Sequence, residues 1–448
     1  MNIKKHIIII AAVLGLGLHA TAQKGVISPY SAIGLGDLVY GGMLHQTLSG
    51  GLGAAFNNNL LSNTTNPASL GFLKSTAFEF SATYQYSFLQ EKGKTVGIQN
   101  GNPDYVSLSF PLSNPVTELL QQKERKFNWG MGFNLLPYSR VGYDLSDTSY
   151  YDDSLQIVRN STATGGTYLF QWSNGVRYHN FSLGLSLGYL FGNIRKERQV
   201  LPDVRQNPNI SFFSDKVRIK AFHWRLGMMY ERHLNPGEVN SKKRKTLTAG
   251  LYFSSPQKLS GTVDRFYRTQ RAAFGGQSNP GIRDTLVNAS TPLEGGKLPL
   301  EVGTGLYYDD HQHHSMGVDF AYSDWKGFDS NILNPGGDIS LATGYRLGIG
   351  GIYTPSAGDV NFFRRMSYHY GFHYNYDPRI VNDHHVTDLG ISGGVTLPVY
   401  YIRQVTYLHL GLQVGRTGIA SGILDNYFKV SLGVTFNDNS WFLKRRFN

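Results

Sequence analysis

Asn426–Asn437 reads N-Y-F-K-V-S-L-G-V-T-F-N. Phe428, Val430, Leu432, Val434 and Phe436 take every second position, and Lys429, Ser431, Gly433 and Thr435 fill the positions between. Side chains of an extended chain point alternately to opposite faces, so this stretch predicts a strand with one apolar and one polar face. A half-buried strand of a soluble sheet has the same pattern. The wider context decides between the two. The alternation recurs along most of the chain, behind an export signal, and no later run of apolar residues is long enough for a membrane helix. These features together predict an all-β transmembrane antiparallel barrel, apolar towards lipid and polar towards its lumen.

The signal occupies residues 1–23. Lys4 and Lys5 form its basic end, Ile7 to Leu18 its apolar middle, and Ala20-Thr21-Ala22 its small-residue cleavage site. The chain has no cysteine, which excludes disulfides, thiolate metal sites and a lipid-modified N-terminal cysteine. Its mean hydropathy of −0.27 suits a barrel as well as a soluble protein, because every second residue of a barrel strand faces water. The 52 glycines, 28 tyrosines and 26 phenylalanines fit curved strands with aromatic girdles. The export signal makes nucleic acid an unexpected partner, and the formal charge of +11 suits anionic lipid head groups, an anionic ligand or no particular partner, without choosing among them.

Residues 24–75 do not alternate. They carry Gly34-Leu35-Gly36, Gly50-Gly51-Leu52-Gly53 and Asn57-Asn58-Asn59. Strands are expected from Thr76–Phe88 onward, about fourteen in all, with residues 76–448 forming the barrel. The longer intervals, near 137–166, 195–216, 258–298 and 326–338, read as external loops, whereas 179–180 and 310–313 read as short periplasmic turns. Val116 to Leu120 reads as a short helix. A fourteen-stranded lumen is too wide for its own side chains to fill, so 24–75 is expected to form a hatch or plug inside it.

Several motifs carry a family resemblance. Asn66-Pro67-Ala68-Ser69-Leu70 precedes the first strand. Pro299 to Tyr308 is followed by Asp319 and Trp325, then by Tyr345-Arg346 through Gly350 to Tyr353-Thr354-Pro355, and the chain ends on Asn437-Asp438 and Trp441-Phe442 to Lys444-Arg445. In this order the motifs resemble the outer-membrane transport proteins typified by FadL and TodX, in their Bacteroidetes-type branch. The resemblance implies the outer membrane of a Gram-negative cell and a lipopolysaccharide and lipid environment. It also implies insertion by the barrel-assembly machinery and passive uptake of a hydrophobic or amphipathic ligand. An N-terminal hatch carrying Asn66, Pro67 and Ala68 would control access, with a lateral exit through the wall. The alternative is a non-transporting barrel subunit of a secretion or assembly complex.

Alternation places Glu79, Arg225, Glu301, Asp319, Arg346, Asp388 and Lys429 in the lumen, because charges facing lipid near mid-membrane are costly. One reading is a cationic site at Arg225 or Arg346 for a carboxylate head group. The other is a set of ion pairs that holds the hatch, and the near balance of acids and bases favours it. Asp309, Asp310, His311, His313 and His314 are dense in metal-ligand types, as are His384 and His385, but the first group falls in an expected solvated turn, so no metal or other cofactor is expected. His223, His369, His373 and His409 point inward without a nucleophile motif, so no enzyme is expected. The stripe Tyr368, Tyr370, Phe372, Tyr374 and Tyr376 is expected to face lipid. Gly188 and Gly192 are candidate kinks for an opening in the wall.

Overall fold

A computed structural model describes residues 28–113, 126–151, 155–202, 209–235, 244–271, 282–293, 296–328, 333, 340–381, 383–401, 404–419 and 422–438. The expected signal, the expected short helix at Val116–Leu120 and the basic residues Lys444–Arg446 lie outside the described residues.

The chain begins with a 3-10 turn (Pro29–Ala32), the two-residue β1 (Asp37–Leu38), helix α1 (Leu44–Leu48) and a second 3-10 turn (Pro67–Phe72). The strands that follow are β2 (Thr76–Glu91), β3 (Lys94–Pro111), β4 (Phe127–Tyr151), β5 (Leu155–Tyr178), β6 (Phe181–Pro202) and β7 (Asn209–His233). Next come β8 (Thr246–Ser254), β9 (Leu259–Arg271), β10 (Ile282–Leu293), β11 (Leu300–Asp309), β12 (His314–Asp324), β13 (Ser340–Leu341) and β14 (Thr343–Tyr353). Helix α2 (Phe362–Arg365) precedes β15 (Ser367–Val381), β16 (His384–Tyr401), β17 (Gln404–Gly418) and β18 (Leu424–Asp438).

All wall pairings are antiparallel, and β18 pairs back to β2 over its whole length, from Leu424 opposite Gln90 to Asp438 opposite Thr76. The sheet is therefore a closed barrel of fourteen staves. Two staves are broken in the middle. The lower part of β7 pairs with β8 and its upper part with β9, while β11 pairs with β8 and β10 with β9. Closure of β18 on β2 leaves no free edge where the sheet begins and ends, as hydrocarbon requires, since an unpaired backbone group there would cost several kcal/mol.

The expected external loops at 137–166, 195–216 and 258–298 are largely strand. β4 and β5 pair out to Tyr151 and Leu155, β6 and β7 out to Val200 and Ser211, and β9 and β10 fill much of the third interval. The reason lies in an inversion of the alternation. In the lower part of β7 the exposed positions are apolar: Phe222, Leu226, Met228 and Tyr230. Beyond Ala221 the exposed positions are Lys220, Arg218 and Lys216, and the buried ones are Ala221, Ile219 and Val217. A stave that leaves the lipid meets water outside, so its apolar residues turn inward. A search for apolar-outward strands stops at that boundary.

Those inward residues build the largest apolar cluster. Val141, Tyr143, Ala163, Leu190, Ile194, Ile219 and Val263 pack there against Leu35 of the N-terminal segment and against Trp325, Phe328 and Leu333 from the connection after β12. The outer half of the lumen is thus filled with hydrocarbon. The staves β4 to β7 and β9 to β10 rise furthest at this end, and by the rule that the longer excursions face outward it is the external one.

The terminal strand also makes the outer face testable. Leu432 is exposed at mid-strand, between Ala82 and Leu410 on the neighbouring staves. Leu432→Arg is expected to lower stability by about 2–4 kcal/mol, as a guanidinium at the lipid midplane does in other barrels. Urea titration in liposomes, read by the gel shift between folded and unfolded forms, measures this. Ser431→Ala, on the luminal face of the same strand, should fall within about 1 kcal/mol of the parent.

Candidate functional site

The N-terminal segment lies on the inner wall in troughs made by glycine. Gly130, Gly175, Gly184 and Gly227 stand directly opposite one another across β4, β5, β6 and β7. A Cβ at these positions would come within 2.1 Å of Leu70 O, 2.4 Å of Pro67 O, 2.3 Å of Ala68 N and 2.0 Å of Asn66 Oδ1, respectively. The missing side chains let the backbone of Asn66–Leu70 lie against the backbone of the wall. A second trough, Gly317–Gly350–Gly371 on β12, β14 and β15, receives the Leu52 side chain and the backbone of Ser49 and Gly50.

Local chemistry shapes the segment to fit. Asn66 caps the 3-10 turn, its Oδ1 accepting from Ala68 N at 3.1 Å, and Pro67 supplies the fixed φ of the first helical position. The Asn66 amide donates to Ala54 O at 2.6 Å and to Met228 O and Leu251 O at 3.2 Å. One side chain therefore ties two turns of the segment to both β7 and β8. Asn66, Pro67 and Ala68 are fully buried.

Several charged side chains of the inner wall grip this segment. Asp319 accepts from Gly53 N and Ala54 N, both at 2.6 Å. Glu79 accepts from Ser62 N at 2.7 Å and lies 3.8 Å from His45. Glu301 takes two guanidiniums, Arg225 at 2.5 Å and Arg346. Arg225 also donates to Thr65 O at 3.2 Å, and Arg346 stands over the Tyr40 ring at 4.5 Å. Both arginines proposed for a carboxylate head group are thus already engaged by the protein's own carboxylate. Asp388 accepts from Asn375, Thr417 and Tyr427 at 2.8, 2.8 and 2.9 Å. Lys429 is the exception: its ammonium lies 4.3 Å from the Tyr427 ring centre, and no carboxylate of the described residues forms an ion pair with it.

The histidines fall into a hydrogen-bonded chain. Ser49 Oγ meets His369 at 3.0 Å, and Thr396 bridges His369 and His409 at 2.8 Å each. His409 then meets Thr435 at 2.9 Å. The chain ends in the N-terminal segment and has the geometry of a satisfied polar network. His223 is buried, and His373 meets the Tyr427 hydroxyl at 3.1 Å. The Asp309–His314 stretch is a turn. Partial burial would raise the Asp310 carboxyl, but backbone N–H groups of His313, His314 and Gln312 outweigh it and hold the carboxyl below its ordinary value. Among the described residues no group of three potential ligands is placed to hold a metal ion. In the tyrosine stripe Tyr370 is exposed and Tyr368, Phe372, Tyr374 and Tyr376 are half-buried, while His369 and His373 between its members are buried.

The wall is continuous at Gly188 and Gly192, which pair with Gln171 and Thr167 in an unbroken ladder. It parts elsewhere. β3 and β4 pair only from Val106–Leu135 to Pro111–Gly130. Above that point β3 is shifted by a bulge between Tyr105 and Pro103, and β4 by another between Pro137 and Ser139. The freed edge of β4 is taken by the N-terminal segment. Asp37 and Leu38 pair with Arg140 and Ser139, Val39 N donates to Tyr138 O at 3.0 Å, and Ser28 N donates to Gly142 O at 3.1 Å. Arg140 reaches across the parting to Asp104 at 3.0 Å.

Behind this seam lies a cavity of about 320 Å³, lined by Leu38, Tyr40, Leu44, Asp104, Arg140 and Lys429 among others. Arg379 anchors β1 beside it, with Asp377 on one side (2.7 Å) and Asp37 on the other. Asp37, Asp104, Arg140 and Arg379 were not singled out from sequence. Each sits at a bulge or in the irregular segment, where alternation gives no signal.

A family model matches residues 2–448. The chain belongs to the BamG family. No curated protein sequence matches it. Among solved structures it is similar to a FadL homologue of Pseudomonas aeruginosa, with a TM-score of 0.53 and 11% identity over 90% of this chain and 98% of that one. It is likewise similar to the toluene transporter TbuX of Ralstonia pickettii, with a TM-score of 0.51 and 13% identity over 93% and 100%. The toluene transporter TodX of Pseudomonas putida gives 0.50 and 13% over the same shares. At these identities the likeness establishes the fold, that of FadL-type outer-membrane barrels.

Two substitutions test this packing. Glu301→Ala leaves two facing guanidiniums without their carboxylate and is expected to cost about 3 kcal/mol, near the lower end for breaking a buried pair. Gly184→Val puts a side chain where Ala68 N lies and is expected to unseat the 3-10 turn. Limited proteolysis of folded barrels would then cut within residues 40–75, which the parent resists.

Proposed function

We propose that this barrel passes an amphipathic small molecule from its lumen sideways into the outer membrane, at the seam between β3 and β4. The observation that carries the reading is the coincidence of three features. The wall loses its pairing above Val106 and Leu135, a cavity lies directly behind, and the two-residue strand β1 occupies the freed edge. In this reading residues 28–42 are the moving part. Asn66-Pro67-Ala68, clamped in the glycine trough, is the anchor about which they move. The toluene transporters TbuX and TodX, which share the fold, support a hydrophobic or amphipathic cargo.

One observation favours a second reading, a barrel that serves as a subunit of an outer-membrane assembly or secretion complex. The outer half of the lumen is packed with apolar side chains from Leu35, Trp325, Phe328 and Leu333, so cargo entering from outside must displace a core. A sealed barrel has no such cost.

Cross-linking the seam separates the two. Asp104→Cys with Arg140→Cys replaces a 3.0 Å ion pair in a chain that has no other cysteine. In proteoliposomes, oxidation is expected to stop entry of a fluorescent long-chain amphiphile, and a reducing thiol to restore it. Entry that is unchanged by the cross-link removes the lateral route. If gentle extraction then recovers the barrel in fixed ratio with other chains, the subunit reading takes its place.

A further inference from the structure

The outer face of β6 and β7 carries a cation cluster at a defined height. On β6 the outward positions Phe181, Leu183, Leu185, Tyr189 and Phe191 are all exposed, and Phe181 and Phe191 stand opposite Tyr230 and Lys220 of β7. From Phe181 to Phe191 is ten residue steps, about 33 Å along the strand. At a stave tilt of about 40° this is about 25 Å of height, which is the whole apolar band of such a barrel. The band is therefore used up at Phe191.

The next outward positions are cationic. Lys220 lies across from Phe191 at the rim, Arg218 across from Asn193, and Lys216 across from Arg195. Lys216, Arg218, Lys220 and Arg195 are all exposed, while the intervening Val217, Ile219 and Ala221 are buried inside the barrel. Two acids lie nearby: Asp264 pairs with Arg218, and Glu197 with Arg195 at 2.8 Å. Neither ammonium, of Lys216 or of Lys220, has an ion-pair partner among the described residues. The patch keeps about two uncompensated positive charges. Lys216 stands between Arg195 on β6 and Asp264 on β9, so this one carboxylate, already paired with Arg218, is shared between two cations.

We propose that Lys216, Arg218, Lys220 and Arg195 form a docking site for the phosphates of a phosphorylated glycolipid in the external leaflet, of the lipid A type. The acyl chains would lie along Phe191, Tyr189, Phe222 and Leu226, and the phosphates would meet the cations one to two turns of the β pleat above. The occupant follows from depth and charge together. A soluble anion has no reason to prefer the lipid rim, and a neutral lipid gives the cations nothing to pair with. The site does not depend on whether the barrel transports.

The experiment uses the full barrel, purified in mild detergent and titrated with defined lipid A by native mass spectrometry. Bisphosphorylated lipid A is expected to bind, and its affinity to fall as salt is raised. Lys216→Gln/Arg218→Gln/Lys220→Gln is expected to weaken it on the order of tenfold to a hundredfold. Dephosphorylated lipid A should bind the parent as weakly as bisphosphorylated lipid A binds the variant, a comparison that does not rely on the variant's folding. Arg416→Gln, an exposed cation on β17, should leave affinity unchanged. Equal binding of phosphorylated and dephosphorylated lipid by the parent overturns the proposal, as does undiminished binding by a folded triple variant. Inorganic phosphate that displaces the glycolipid at millimolar concentration would reassign the patch to a free anion and overturn the lipid assignment.

Discussion

Two polypeptide backbones can lie in van der Waals contact only where no Cβ stands between them, and the interior of this barrel is organised by that constraint. The row Gly130–Gly175–Gly184–Gly227 removes four side chains in line, and Asn66–Leu70 fills the space they leave. The polar contacts depend on this seating. Asp319 can accept from Gly53 N and Ala54 N, and Arg225 can reach Thr65 O, because the segment runs close enough to the wall for short hydrogen bonds. Without the troughs the same charges would face a water-filled lumen, and exposed ion pairs contribute little.

Luminal charge has a different meaning once its partners are known. Arg225 and Arg346, taken alone, look like a receptor for an acid. Joined on Glu301 and packed against Thr65 and Tyr40, they are a clamp. Lys429 is left over, beside Asp388 and Tyr427 in the cavity, and a polar head group passing through would meet it. The seam is held by polar contacts, the Arg140–Asp104 pair, the Arg379–Asp37 pair and a few backbone bonds to β1. The trough, in contrast, is held by shape.

The fold was legible from sequence because the lipid imposes a period of two on every stave, and Phe428 to Phe436 display it without interruption. The upper staves were not legible as strands. Water on their outer face and hydrocarbon within reverse the phase, so Val217 and Ile219 carry the apolar positions that Phe222 and Leu226 carry lower down. The inward direction of Glu79, Asp319 and Asp388 could be read, since lipid excludes charge. Their partners could not, because Ser62, Gly53 and Tyr427 lie at distances along the chain that no local pattern encodes. The seam was invisible for a related reason. The bulges at Tyr105–Pro103 and Pro137–Ser139 each shift one residue, and a one-residue shift leaves no mark on composition.

The closed ring formed by β18 and β2 has a consequence for how the molecule is made. Residues 44–72 touch β3 to β7 on one side and β15 to β17 on the other, so they lie inside a hoop whose last join is made by the last strand synthesised. A segment clamped backbone to backbone has no room to thread into a finished hoop. The first-made part of the chain therefore waits in place while the staves are laid around it, as a mandrel waits for the sheet that is rolled over it. Closure must join strands more than 300 residues apart before those contacts are rewarded, which makes folding slow.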